Sequence, residues 1–390
     1  MSDTAIERPA GGAPAARRIL LMTPRLEPTA PCRAVVGLAL ELAKAGHEVQ
    51  LVSRRGSIDR VFPRDPAALT ARGLPPIWIS RALARNLRGW LSLWGLARRV
   101  GELNPDLIHA HGAELAGVGA RLARHVRKPY VLAVDDFLDP GQSVARSRRF
   151  LQRVLVASKA VRVDLVNRIG LERDLIDIVP SGVDIARYPD RTHRLVEGRV
   201  PVVGAIDRLV ESKGQEQFIR AAHLLAMRGR SAQFVIAGEG PDRKRLQNLV
   251  AELDLVDRVT FARSPVDQLE VLKAIDILVV PALNEALGLP AIEAMASGIP
   301  VVAASSGGIF SLIESGKTGV LVPKKSADAI ATQIEDLIDD PRRARQLAEA
   351  GRAHVAREFN INSVVDRVTT IYENILGDGS TERGNEVAGQ

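Results

Sequence analysis

The chain has 390 residues, of which 46% are hydrophobic and 25% charged, with a formal charge of +7 and a single cysteine. That length exceeds one ordinary core and fits two domains. A lone Cys32 excludes an internal disulfide, and the lack of a secretory signal or of an apolar run long enough to span a bilayer points to the cytoplasm. The charge is uneven: residues 1–194 hold 31 lysines and arginines against 19 acidic residues, and the remainder 22 against 27. A basic first half suits an anionic lipid surface or an anionic acceptor. Nucleic acid is the weaker choice of partner, because aromatics are only 4% of residues and no stacking or groove-reading motif is present.

In chain order, residues 1–16 are rich in Ala, Gly and Pro and read as a disordered arm. The spacing then predicts a strand over Arg18–Thr23, a helix over Val35–Ala45, a strand over His47–Ser53 and a long helix over Ile79–Glu102. A strand over Asp106–Ala110, a helix over Glu114–His125 and a strand over Tyr130–Val134 follow. After a charged stretch, Arg187 to Arg199, the alternation restarts at Val200. Strands are predicted over Phe234–Ala237, Val259–Phe261, Ile277–Val280, Pro300–Ala303 and Val320–Val322, interleaved with helices over Gln215–Met227, Arg243–Leu253, Pro290–Ala296 and Ala327–Ile338. This is the signature of an α/β chain of two Rossmann-like, doubly wound domains facing a central cleft, residues 17–194 and 195–360, with ligands beyond the carboxyl ends of the strands. A helix is expected over 361–376 and a disordered tail over 377–390.

The stretch from Asn284 to Pro300 carries the most chemistry. It follows a buried-strand pattern and opens a helix with Pro290 in the first turn, where a missing N–H costs nothing. Glu285 falls in the loop, and Glu293 falls inside the helix, where it can face the same crevice. The N–H groups near Leu287, Gly288, Leu289 and Ala291 favour an anion, while two carboxylates accept hydrogen bonds from sugar or ribose hydroxyls. A helix with surface glutamates is the plainer alternative. With Glu293-Ala294-Met295-Ala296-Ser297-Gly298, Pro300-Val301-Val302 and Gly307-Gly308 included, the segment resembles the E-x7-E motif of the retaining nucleotide-sugar glycosyltransferases of the GT-B fold, family 4, also called group 1.

The resemblance spans about Arg18 to Leu376. It implies that the 361–376 helix crosses back to the first domain, and that a sugar moves from a nucleotide-diphosphate donor to an acceptor hydroxyl on the same face that the diphosphate leaves. Arg208 and Lys213, in Arg208-Leu209-Val210-Glu211-Ser212-Lys213-Gly214, are similar to the pair that holds the diphosphate, where cations stabilise a departing anion. Asp207 stands where that pattern has glycine. Gly238 and Glu239 match a donor-side G-x-G loop, and Arg263 replaces a glycine next to the base pocket. His109 and His111 alternate on one strand face, and the resemblance assigns His111 to the transferred sugar; a histidine pair also binds metal, but no third ligand has a place. On the acceptor side Asp135 replaces a histidine, and the glycine-rich turn after the first strand is absent.

Catalytic roles therefore fall to His111, Arg208, Lys213 and Glu285, and donor binding to Gly238, Glu239, Arg263, Leu287, Gly288, Leu289 and Glu293. No cofactor is expected, and the chain has no D-x-D pair, so transfer without metal is expected. The partners are a nucleotide-sugar donor and a glycan or lipid-linked acceptor, in cell-envelope glycan or glycolipid synthesis. Asp135 and the absent turn favour the alternative of a catalytically weak or inactive homologue that binds nucleotide sugar. Leu83, Leu87, Leu91 and Trp94 make one stripe of the 79–102 helix, opposite Arg81, Arg85 and Arg88. That helix suits two settings, packing on a sheet or lying on an anionic inner leaflet; Arg146, Arg148, Arg149 and Arg153 favour the second.

Overall fold

The computed structural model describes residues 16–24, 26–27, 29–53, 77–78, 87–138, 144, 149–190, 198–262 and 268–385. The chain divides into two compact units. The first takes Met1–Glu27, Pro31–Gly182 and Ile361–Gln390; the second takes Pro28–Ala30 and Val183–Asn360.

Among the described residues, the first unit holds seven strands: β1 (Arg18–Thr23), β2 (Glu48–Ser53), β3 (Ile77–Trp78), β4 (Leu107–His111), β5 (Tyr130–Val134), β6 (Leu151–Val156) and β7 (Ile176–Ile178). They form one parallel sheet in the order β3-β2-β1-β4-β5-β6-β7. β4 and β5 are buried along their whole length, which is why they read as near-continuous apolar runs. Helices α1 (Ala30–Lys44), α2 (Leu87–Leu103), α3 (Ala116–Val126) and α4 (Lys159–Ile169) connect them.

The second unit holds β8 (Val202–Ile206), β9 (Gln233–Ala237), β10 (Val259–Phe261), β11 (Ile277–Val280), β12 (Val301–Ala304) and β13 (Val320–Val322), parallel in the order β10-β9-β8-β11-β12-β13. Its helices are α5 (Gln215–Met227), α6 (Arg243–Glu252), α7 (Gln268–Ala274), α8 (Leu289–Ala296), α9 (Ala327–Asp339) and α10 (Pro341–Glu358). In each sheet the winding reverses beside the unit's first strand, between β1 and β4 and between β8 and β11. Connections there diverge and open a crevice at the carboxyl ends.

A last helix, α11 (Ile361–Asn385), belongs to the first unit. Ile361, Val364, Val365, Val368, Ile371 and Tyr372 repeat at helical spacing and share a buried cluster with Leu21, Val36, Leu107 and Val131. At roughly 1.5–3 kcal/mol for each large apolar side chain fully buried, that stripe is a major part of the unit's core.

Several elements differ from the sequence expectation. The second unit begins at Val183, ahead of the expected boundary at 194/195, because the Val183 N–H donates to the Phe359 carbonyl at 2.9 Å and Val183 pairs with Asn360. Helix α1 starts at Ala30 rather than Val35, since Pro31 in a first turn costs no hydrogen bond. Helix α11 continues through 377–385, which were expected in a disordered tail: glycine, unlike proline, keeps its N–H, so an established ladder propagates. The β6-α4-β7 unit was not predicted, because Gln152 and Arg153 interrupt the apolar run of β6. Its caps were readable nonetheless, with Ser158 accepting from the Val161 N–H and Gly170 left-handed at φ 63°.

On α2 the buried face is Leu96, Ala97 and Val100, while Trp94, placed on the apolar stripe, is 54% exposed. The arm at 1–15, the tail at 386–390, Leu83, Arg81, Arg85, Arg146 and Arg148 lie outside the described residues, as do the side chains of Leu87, Arg88 and Leu91.

The α3–β5 contact is close enough to be tested by one methyl group. A Cβ at Gly119 would lie 2.5 Å from Cε2 of Tyr130, whose ring is fully buried. Gly119→Ala is expected to lower stability by about 1–3 kcal/mol, read from the denaturant midpoint. An unchanged midpoint contradicts this packing.

Candidate active site

The second unit brings four loops to the carboxyl ends of β8, β9, β11 and β12. After β8, the segment Asp207–Gly214 turns through a short 3-10 helix, Glu211–Lys213, and ends at Gly214 with φ 69°. A Cβ on Gly214 would overlap the Pro281 carbonyl oxygen, so only glycine lets this loop close on the end of β11. The Ser212 carbonyl then accepts from the Leu283 N–H at 2.8 Å.

That closure buries Lys213. Its ammonium lies 3.0 Å from Glu285 Oε2 and 3.2 Å from Asp207 Oδ2, with its side chain only 8% exposed. Glu285 is buried as well, and its Oε1 accepts the Gly288 N–H at 3.1 Å, tying the carboxylate to the amino end of α8. From the far side, the Gly308 N–H donates to the Glu285 carbonyl at 2.7 Å. Gly307 permits this approach, since a Cβ there would meet that same carbonyl oxygen. Removing one partner of a buried ion pair costs about 3–5 kcal/mol, because the other charge is then left buried without a partner.

The structure therefore brings Lys213, Glu285 and Gly288 together, with Leu287 buried and Leu289 half-buried at the same helix end. Arg208 is exposed on the same loop as Lys213. Gly238 and Glu239 join through the backbone: the Asp207 N–H donates to the Ala237 carbonyl, and the Leu209 N–H to the Glu239 carbonyl at 2.8 Å. The Glu239 side chain is exposed. Glu293 is buried on α8, with Oε1 accepting from the Tyr188 hydroxyl at 2.9 Å. Arg263 lies outside the described residues.

In the first unit, β4 ends on His109 and His111, whose rings pack at 4.3 Å between centroids with their planes tilted by 37°. His109 is fully buried, and its Nδ1 lies 2.6 Å from the Tyr372 hydroxyl of α11. Burial pushes the His109 imidazole well below its ordinary value, and the neighbouring His111 pushes it the same way. His111 Nδ1 stands 3.5 Å from Asp135 Oδ2, at the end of β5. Both histidines and Asp135 line a cavity of 30 Å3 walled by Val35, Leu155 and Val364, room for roughly two waters or a small polar group. Among the described residues no cluster of three metal-ligating side chains occurs. Cys32 is buried, and burial pushes its thiol up to about 11, which disfavours the thiolate.

Sequence reading missed Tyr188 and Tyr372, the side chains that touch Glu293 and His109. A signal existed: the chain has only three tyrosines, and all three are buried. A buried phenol needs a hydrogen-bond partner. Arg243 was missed too; it donates to the carbonyls of Gly238 at 3.2 Å and Ala262 at 3.1 Å, fixing the loop after β9.

Two family models match. Residues 33–187 match "Glycosyltransferase Family 4", and residues 190–354 match "Glycosyl transferases group 1". The chain is 32% identical to a D-inositol 3-phosphate glycosyltransferase of Nocardia farcinica, over 83% of this chain and 80% of that protein. It is 28% identical to a 2-deoxystreptamine glucosyltransferase of Streptomyces kanamyceticus, over 78% of this chain and 84% of that one. In fold it is similar to HepE of Anabaena, solved in complex with UDP and glucose, with a TM-score of 0.74 over 90% of this chain and 98% of that one at 21% identity.

The buried histidine gives a pH test. His109 stays neutral when folded but titrates near 6.5 when unfolded, so below that pH the unfolded chain binds a proton that the native state does not. Stability is then lost as pH falls through about 6.5, by up to about 1.4 kcal/mol per pH unit for this one group. His47 and His354, also lowered by burial, act in the same direction. His109→Gln is expected to flatten the slope of unfolding free energy between pH 6.5 and 5; an unaltered slope contradicts the assignment.

Proposed function

The chain belongs to the group 1 glycosyltransferases, family 4, and on that premise we propose that it moves a sugar from a nucleotide-diphosphate donor to an acceptor hydroxyl with retention of configuration. The observation that carries this reading is the buried Lys213, paired with Glu285 at the amino end of α8 and preceded on the same loop by Arg208. A diphosphate arriving there meets two cations and a helix end, all of which favour charge growing on the leaving group as the bond to the sugar breaks. Charge of this kind is supplied by the side chains themselves, so transfer proceeds without metal.

The departing diphosphate helps to deprotonate the incoming hydroxyl on the same face, and no protein nucleophile is required. Glu285 and Glu293 accept hydrogen bonds from hydroxyls of the donor. In the first unit, His111 faces the transferred sugar and Asp135 the acceptor. Two relatives bear the names of 2-deoxystreptamine and D-inositol 3-phosphate, both polyhydroxylated six-membered rings, which supports a hydroxyl-bearing acceptor, free or linked to a glycan or lipid. We place the reaction in cell-envelope glycan or glycolipid synthesis, at the inner face of the membrane. Exposed Trp94, with Arg98 and Arg99 on the same helix, supports docking on an anionic leaflet. No helix among the described residues is long and apolar enough to cross a membrane.

The alternative, binding without transfer, is favoured by Asp135 in place of a histidine. Turnover decides between the two: slow hydrolysis of a nucleotide sugar by pure protein supports the enzyme, and tight binding without turnover supports the alternative. Lys213→Ala is expected to lower kcat by roughly a hundredfold or more, as loss of one oxyanion donor does. Because that change also unbalances a buried pair, Arg208→Ala serves beside it: Arg208 is exposed, so the unfolding midpoint stays put while transfer falls. Undiminished transfer in both variants contradicts the role.

Vesicles test the membrane reading. Binding to anionic liposomes at low salt is expected, weakening as salt rises; no binding at low salt removes that reading.

A further inference from the structure

Asp207 is the side chain in the Lys213 cluster that the proposed reaction does not use. Its two carboxylate oxygens are both engaged. Oδ2 lies 3.2 Å from the Lys213 ammonium, and Oδ1 accepts the Arg208 N–H at 2.7 Å. These are two donors of the loop after β8, on the residues that the proposed reaction sets against the diphosphate. A carboxylate is thus bound where an anionic ligand would be bound, by the same kind of group.

The backbone under it is fixed. The Asp207 N–H is bonded to the Ala237 carbonyl at 3.0 Å, and the Asp207 carbonyl packs directly on Gly238. What remains free to change is the side chain, which is 18% exposed and has a way out to water. Charge points the same way. Arg208, Lys213 and Glu285 carry a net single positive charge; adding the Asp207 carboxylate brings the group to zero. A diphosphate seated on Lys213 therefore meets a like charge that itself lies 3.2 Å from that ammonium, close enough for repulsion to be felt even at moderate dielectric.

We propose that Asp207 is a specificity-determining residue of the donor site, an internal anion that competes with the diphosphate for Lys213 and the Arg208 amide. This rests on the reading of Lys213 and Arg208 as the diphosphate seat. Donor occupancy requires the Asp207 carboxylate to rotate away, and its return helps to expel the nucleoside diphosphate left after transfer. The protein then discriminates against ligands that bring only a phosphate bridge and not enough further contacts to displace it.

Calorimetric titration with inorganic pyrophosphate, UDP and GDP tests this on the full chain. Asp207→Asn keeps the shape and can still accept the Arg208 N–H, but removes the charge; Asp207→Gly removes the side chain. Both are expected to bind at least one of the three probes about tenfold more tightly than the unaltered protein, with the dissociation rate of that probe lowered by a similar factor. A purely structural anchor of Lys213 predicts the reverse, and weaker or unchanged binding in both variants overturns the proposal. Arg208→Ala, titrated in parallel, separates the two levels. If it weakens binding while the Asp207 variants leave affinity unchanged, the diphosphate seat stands and the competitor falls. If neither Arg208→Ala nor the Asp207 variants alter binding, both fall.

Discussion

One buried ammonium organises the second unit. Lys213 is held between the carboxylates of Asp207 and Glu285, and each of those is tied to a different loop at the carboxyl end of the sheet. Taking three charges out of water is unfavourable unless each is met by a partner, so the loops after β8 and β11 fix one another's position. The helix end at Gly288 and the backbone at Gly308 close the same knot from the other side of Glu285. The loops of the crevice are therefore fixed in place before any ligand arrives, with the Lys213 ammonium and the Arg208 N–H meanwhile engaged by Asp207.

The first unit solves a different problem with weaker tools. Its polar groups at the end of β4 are histidines, buried and neutral at His109, and they are held by a phenol delivered from α11. Tyr372 sits on the same helical face as Ile361, Val364 and Val368, so packing of that helix against the sheet also sets the position of its hydroxyl. A pocket lined by imidazole and carboxylate on one side and aliphatic side chains on the other suits an uncharged polar group more than an anion. The two units thus present contrasting chemistry: cations and a helix end in one, hydrogen-bonding rings and a carboxylate in the other.

Much of this was legible in the sequence where burial imposes a strong pattern. Ile277–Val280 and Tyr130–Val134 are covered on both faces, so their apolar runs announce parallel strands. Glu285 and Gly288 stand at a helix start that the sequence marks, Lys213 lies in the segment assigned by family resemblance, and the structure brings the three together. The rest was hidden for physical reasons. Glu293 and Glu285 looked equivalent by spacing, but one is engaged by Lys213 and the other by Tyr188, a residue 105 positions away in the chain. Such partnerships depend on tertiary contact, which no local pattern encodes. Asp207 was noticed only as an unusual residue; that its carboxylate reaches the lysine became visible with coordinates. The β6-α4-β7 segment escaped because the first half of β6 carries the exposed Gln152 and the partly exposed Arg153 within its apolar run.

The most direct test of the central claim is a crystal structure of the protein with a bound nucleoside diphosphate. The account predicts the terminal phosphate within about 3 Å of the Lys213 ammonium, at the amino end of α8. A diphosphate bound elsewhere, with Lys213 still clasped by both carboxylates, would contradict it.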